Sequence, residues 1–274
     1  MSGRSNFRIR TDRVESGRNL YEQAKKVVRA ALPQSISQES KRRPRQSTRG
    51  RVNRMTGYAP NEGTRRNMEA LRERGWRLLL TPTHPTPYAD LGFAIDNGAW
   101  RAYQQNTPFD SKSFEKLVDR FGCAADFVIL PDIVGHGKES LEFSVSWLPR
   151  LRTLKHVLLP IQDGVNAHDV GMILRQNPRV GLFLGGTTEY KLQYMYAWGM
   201  VAHAWNRWFH IGRVNSIRRV QLCAEAGADS FDGSSVTVYS DKLPRLDPAR
   251  AQPSLLTPAK LTDPHALAKA RGEV

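Results

Sequence analysis

Three aspartates in this chain each close a short apolar run. Asp96 follows Phe93-Ala94-Ile95, Asp132 follows Phe127-Val128-Ile129-Leu130-Pro131, and Asp232 follows Ser230-Phe231. Gln162 ends Val157-Leu158-Leu159-Pro160-Ile161, and Gly185-Gly186 ends Val180-Gly181-Leu182-Phe183-Leu184. Two carboxylates facing one cavity can divide labour, one attacking an electrophilic carbon and the other moving protons. Small residues follow Asp232 (Gly233-Ser234-Ser235) and leave room beside it for a substrate. A single aspartate at the end of a strand often does no more than cap a helix or close a turn. Its recurrence on successive segments, with Gln162 and Gly185-Gly186 on neighbouring ones, favours a shared site.

The elements that would place these groups alternate. Strands are predicted at Trp76–Leu80, Phe93–Asp96, Phe127–Pro131, Val157–Gln162, Val180–Leu184, Phe209–Ile211 and around Phe231. Helical periodicity occupies Ser111–Phe121, Lys138–Leu151, Asn166–Gln176, Thr188–Trp205 and the stretch from Asn215 or Ser216 to Gly227. Helix-length connections require parallel pairing through right-handed crossovers. The expected fold is therefore α/β, a (β/α)8 TIM barrel over residues 55–240, with one unseen strand between Val52 and Tyr58. An open, doubly wound sheet is the alternative. In a barrel the strand ends share one rim, which is the rim that carries chemistry.

Charge divides the chain. Residues 1–77 hold 20 Lys+Arg against 7 Asp+Glu, a net +13, whereas residues 78–274 are close to neutral at +2. The basic character thus belongs to an N-terminal extension, residues 1–54. It reads as an unstructured start, a helix from Leu20 to Leu32 and a Ser/Gln/Arg linker with Lys41-Arg42-Arg43-Pro44-Arg45. Arginine-rich segments suit bidentate phosphate contact, so Arg42, Arg43 and Arg45 are candidate nucleic-acid contacts. Residues 241–274 read as a Pro-rich tail that wraps the barrel or stays mobile. No apolar run reaches the roughly 20 residues of a membrane span, and the N-terminus lacks the apolar core of a secretory signal. Cys123 and Cys223 are the only cysteines. They exclude a disulfide framework and an all-thiolate zinc site, and a reducing, cytosolic setting is expected. Both read as packing residues, as do Trp198, Trp205 and Trp208. His84, His136 and His210 lack ligand spacing, so neither a metal nor a cofactor is expected. Gly135-His136-Gly137-Lys138 is a weak anion-seat signature before a helix.

The order of the blocks carries a resemblance. Asp96-Asn97-Gly98-Ala99-Trp100, Leu130-Pro131-Asp132, Ile161-Gln162-Asp163-Gly164, Gly185-Gly186-Thr187 and Ser230-Phe231-Asp232-Gly233 resemble the queuine and archaeosine tRNA-guanine transglycosylases, over roughly residues 76–235. His210-Ile211-Gly212-Arg213-Val214-Asn215-Ser216 is more similar to the phage and bacterial branch that acts on DNA, the DpdA-like 7-deazaguanine transglycosylases. The resemblance implies that Asp232 attacks C1′ of the target nucleotide and releases guanine, with Asp96 as acid/base. It implies that Asp132, Gln162 and the Gly185-Gly186 backbone bind the edges of the purine. Trp100 would stack on one face of the base and Ile211 on the other. For His210 and Arg213, phosphate or base contact and structural hydrogen bonding both remain open.

Two displacements at C1′ retain configuration, as in two-carboxylate glycosidases, and the target base must first leave the stack. The chain departs from the tRNA enzymes in Asn97, Ala99 and Gly233. It also lacks the cysteines for their zinc subdomain. The expected partners are therefore DNA, with tRNA as the alternative, and a free 7-deazaguanine base such as preQ0; a barrel that binds nucleic acid without catalysis is the further alternative. No membrane partner is expected, and a homodimer is compatible with the sequence.

Overall fold

A computed structural model describes residues 25–31, 54–88, 90–239 and 241–250. Eight parallel strands close into a barrel in chain order, β1 (Thr56–Pro60), β2 (Arg77–Leu80), β3 (Phe93–Ile95), β4 (Val128–Ile129), β5 (Val157–Ile161), β6 (Val180–Leu184), β7 (Phe209–Ile211) and β8 (Ser230–Asp232). Closure rests on β1 pairing with β8, where Tyr58 lies opposite Asp232. That pairing excludes the open sheet. The unseen first strand lies at 56–60, shifted beyond the 52–58 window because Val52 is followed by polar Asn53 and Arg54 rather than by an apolar run.

Around the barrel run α1 (residues 25–31), α2 (Arg65–Glu73), α3 (Ala99–Gln104), α4 (Ser111–Phe121), α5 (Gly137–Ser146), α6 (Ala167–Gln176), α7 (Thr188–Ala204), α8 (Ile217–Glu225), α9 (Ser235–Val238) and α10 (Lys242–Ala249). Side chains start most of the long ones. Thr64, Asp110, Asn166, Thr187 and Ser216 each accept a hydrogen bond from a backbone N–H in the first turn of the helix that follows. The strand-to-helix turns on the upper rim are thereby given defined geometry.

Strand periodicity decides which side chains reach the site. Tyr58, Leu79, Ala94, Phe127, Ile129 and Leu158 point inward and pack with Phe183 inside the barrel. Their strand neighbours Ala59, Leu78, Leu80, Ile95, Val128, Leu159, Leu182 and Leu184 point outward into the larger layer beneath the helices. Continuing the alternation in steps of two residues past the inward positions brings Asp96, Gln162, Gly185, Gly212 and Asp232 to the upper rim.

At the opposite end the barrel is clasped by α10, a helix beyond the sequence boundary drawn at residue 240. Leu243, Leu246 and Ala249 are buried. Arg250, also buried, donates to Asp247 at 2.8 Å, to the Met55 carbonyl at 3.0 Å and to the Arg74 carbonyl, while its guanidinium lies 5.2 Å over the Trp76 ring. The Met55 N–H returns a bond to the Arg250 carbonyl at 3.1 Å. Residues 25–31 pack Ala31 against Gly171 of α6, where a methyl group would strike the Ala31 carbonyl, and Trp205 Nε1 donates to that same carbonyl at 3.0 Å. Arg42, Arg43 and Arg45 and the tail after residue 250 lie outside the described residues. Among those described, no helix is long and apolar enough to cross a membrane.

Of the residues read as packing, Cys223, Trp198 and the partly buried Trp205 are packed as expected. Cys123 is exposed, since it follows α4 on the surface rather than under it. Trp208 is 40% exposed at the lower end of β7, with its ring 6.3 Å from the interior Phe127 and its Nε1 bonded to Ser230. Arg250 organises four partners around one cation, and its removal takes a donor from the Met55 and Arg74 carbonyls, while Asp247 keeps those from Trp76 and Arg54. Arg250→Ala is expected to destabilise the protein by about 2–4 kcal/mol, seen in urea unfolding as a lower midpoint at unchanged slope.

Candidate active site

A cavity of about 790 Å³ opens at the C-terminal ends of the strands. Asp96, Asp132, Gln162, Gly185, Gly186, Trp100, Arg213 and Asp232 all line it, so the structure brings these site residues read from the sequence together. Its volume suits a small organic ligand, for which pockets of about 300–1,000 Å³ are usual.

Asp232 is held from two sides. Its Oδ1 is 3.0 Å from His210 Nε2, and its Oδ2 accepts the Arg213 N–H at 3.0 Å. His210 is fully buried, boxed by Tyr58, Phe127 and Phe183 at ring-centroid distances of 5.7, 5.2 and 5.5 Å. It therefore does not contact nucleic acid, and structural hydrogen bonding is its role. Its Nδ1 meets Ser230 Oγ at 2.8 Å, and Trp208 Nε1 meets the same oxygen at 2.8 Å. The indole can only donate. The arrangement that satisfies every group then has Ser230 accepting from Trp208 and donating to Nδ1, which leaves Nε2–H to donate to Asp232.

Asp132 is held differently. Asn97 Nδ2 donates to its Oδ1 at 2.8 Å and to the Leu130 carbonyl at 2.7 Å, and Gln162 Nε2 donates to Oδ2. Asn97, read from the sequence only as a departure from small residues, is thus the clamp on Asp132. Its own Oδ1 accepts the Ala99 N–H at 2.7 Å and sets the start of α3, which carries Trp100. Gly185 and Gly186 approach the same groups. A side chain at Gly185 would strike the Gln162 amide. Gly186, at φ +74°, would meet Asp163, whose carboxylate accepts both the Thr187 N–H and hydroxyl at 2.8 and 2.7 Å. The Gly135–Lys138 turn packs on the 163–165 backbone and directs the Gly135 N–H toward Gln162, so it serves the site as scaffold.

Ile211 does not face the pocket. With His210 pointing in, the pleat sends Ile211 outward, where it is buried beside Met195 and Cys223. The inward aromatic of this wall is Phe183, which lines the cavity and stacks on His210 with 22° between the rings. Counting back two residues from Gly185 would have identified it. Trp100 is 37% exposed at the mouth, and the Arg213 guanidinium lies 3.9 Å over its ring while donating to the Gly186 carbonyl. Arg213 itself adopts φ +58°, an uncommon conformation for a residue with a side chain. Lys191, a cation within the apolar stripe of α7, is the other missed residue; it is buried and bonded to the Gly212 carbonyl.

Burial and the nearby carboxylates Asp232 and Asp132 push the Asp96 carboxyl up to about 7. Burial also pushes Asp132 up to about 6, opposed by its bonds from Asn97 and Gln162 and by the Arg213 charge. A carboxyl raised this far is suited to giving and taking a proton near neutral pH, while Asp232 is positioned by fixed donors. The fold and cavity define a (β/α)8 barrel whose upper rim gathers a carboxyl raised toward neutral pH beside two carboxylates held by hydrogen bonds. No family model matches the chain, and no curated protein matches it. Among the described residues, no cluster of His, Cys, Asp and Glu has the form of a metal site.

The raised carboxyl groups bear on stability. Folded Asp96 binds its proton more tightly than the ordinary value of 3.8, so the native state holds extra proton between about pH 4 and 7. This contribution to stability is complete below that window and is lost as pH rises through it. Asp96→Asn is accordingly expected to exceed the parent in stability by roughly 1–3 kcal/mol at pH 8. The advantage should vanish at pH 4, measured by urea unfolding at both values.

Proposed function

We propose that this protein is a nucleic-acid base-exchange enzyme, a DNA-guanine transglycosylase that replaces guanine with a 7-deazaguanine base. The observation that carries the reading is the convergence, at one cavity, of the clamped carboxylate Asp232, the proton-exchanging carboxyl Asp96 and a planar slot beside Trp100. The Arg213 guanidinium occupies that slot, stacked on the indole and donating N–H to the Gly186 carbonyl. A flat group edged with N–H donors fits there, and the N1–C2–amino edge of guanine is such a group.

In the proposed reaction an Asp232 oxygen forms a bond to C1′ as the C1′–N9 bond of guanine breaks. Asp96 supplies the proton that the departing base needs. The incoming deazapurine then binds in the same slot and returns a proton to Asp96. Its nitrogen takes C1′ back from Asp232, so configuration is retained after two inversions. Asp132, oriented by Asn97 and Gln162, and the open backbone at Gly185-Gly186 meet the polar edges of each base. Buried polar groups left unmatched by a wrong base are costly, which supplies selectivity. The basic N-terminal extension would grip phosphates while the target base leaves the stack.

Incubation with guanine-containing DNA, quenching under denaturing conditions and mass mapping should place a covalent adduct on Asp232. Asp232→Ala should form none, and Asp96→Ala should slow its formation by about 10²-fold or more. Nucleoside mass spectrometry of cells supplied with a 7-deazaguanine should then find the modified base in DNA. Finding it only in tRNA would move the substrate to the alternative, and finding neither adduct nor modified base would overturn the reading.

A further inference from the structure

Lys191 stands where the stripe of α7 that faces the barrel is otherwise apolar, and it is 6% exposed. A leucine or methionine would pack there without the penalty of burying a charge. Its Nζ donates to the carbonyl oxygen of Gly212 at 2.5 Å. That carbonyl belongs to the same peptide group as the Arg213 N–H, which donates to Asp232 Oδ2 at 3.0 Å. In a planar trans peptide the C=O and N–H point in opposite directions. Ammonium, peptide and carboxylate therefore stand in series across the barrel wall. The arrangement is fixed at both ends. The Gly212 N–H is held by the Leu184 carbonyl at 3.1 Å, and a side chain at Gly212 would strike the Phe183 ring.

We propose that Lys191 is a positioning residue for Asp232, fixing and polarising through the Gly212–Arg213 peptide the N–H that holds the carboxylate. A cation on the carbonyl oxygen draws electron density along the amide and makes its N–H a stronger donor. Lys191 thus lends positive charge to the carboxylate without touching it or entering the cavity. The charged and titratable groups that face it are Asp232 from β8, Arg213 from the turn after β7, and Arg219 and Cys223 from α8. Burial first, then Arg213, brings its ammonium down to about 8, while Asp232 opposes that fall. The kinetic consequence rests on reading Asp232 as the nucleophile; the electrostatic link between the two residues does not.

Two measurements separate these parts. Protein carrying isotope-labelled lysine can be titrated by NMR as the parent and as Asp232→Asn. Losing the carboxylate should move the Lys191 midpoint to lower pH by about half a unit or more. An unchanged midpoint would overturn the proposal, whether or not base exchange is observed. In protein that forms the adduct, Lys191→Met should slow adduct formation about tenfold with KM unchanged. The ratio of the Lys191→Arg rate to the parent rate should rise as pH passes through 8, because a guanidinium keeps its charge there and the Asp96 titration cancels. A Lys191→Met variant that folds and keeps the parental rate and pH profile would reduce Lys191 to a structural tie. Should Lys191→Met fail to fold, the NMR titration decides alone. Should the parent form no adduct, the functional reading fails while the titration still tests the link.

Discussion

Holding three carboxyl groups, Asp96, Asp132 and Asp232, around one largely buried cavity is the constraint on which the upper half of this barrel depends. Carboxylates gathered away from bulk water tend to neutralise or separate, and each of these is handled by a different means. Asp132 is clamped by two amides, from Asn97 and Gln162. Asp232 is held by an imidazole below and a backbone N–H beside it. Asp96 is met by backbone N–H groups, from Gly98 at 3.4 Å and from Asn97, and it is the one pushed up to about 7. The graded support makes three chemically identical groups unlike one another.

Supplying those supports accounts for features that otherwise look unrelated. Ser230 and Trp208 are polar or half-exposed at the lower end of the barrel, yet they pass a defined hydrogen-bond direction up to Asp232 through His210. Asp163 does not line the cavity, but its two bonds to Thr187 hold the glycine turn whose carbonyl receives Arg213. The αL conformation of Arg213 both aims its N–H at Asp232 and lays its side chain over Trp100. Strain at one residue thus serves two contacts, in keeping with the clustering of backbone outliers at functional sites.

Much of this was legible in the sequence because a parallel barrel repeats one rule. Each strand is a buried run, and the polar residue that ends it reaches the rim, so Asp96, Asp132, Gln162, Gly185 and Asp232 could be read directly. What escaped depends on which way a side chain points. Ile211 was given a face of the ligand slot that the pleat denies it, and Phe183, which the pleat does turn inward, was passed over as ordinary core. His210 was left open between phosphate or base contact and structural hydrogen bonding, and closure of the barrel, which buries it, favours the second. Asn97 and Lys191 act through partners far off in the chain, and no local pattern reveals such pairings. α10 was missed because Pro244 and Pro248 mask its periodicity.

On the proposed reading, the Arg213 guanidinium stacked on Trp100 means that the slot for the base is already furnished in the free protein. Entry of a flat ligand is an exchange, in which contacts made by the protein's own side chain are surrendered as new ones form. Affinity then reports the difference between two occupants, and a shape that merely equals the guanidinium gains little. A dissolved guanidinium ion fits the same description. In its salts, unfolding of this protein would register occupancy of the slot as well as exposure of surface.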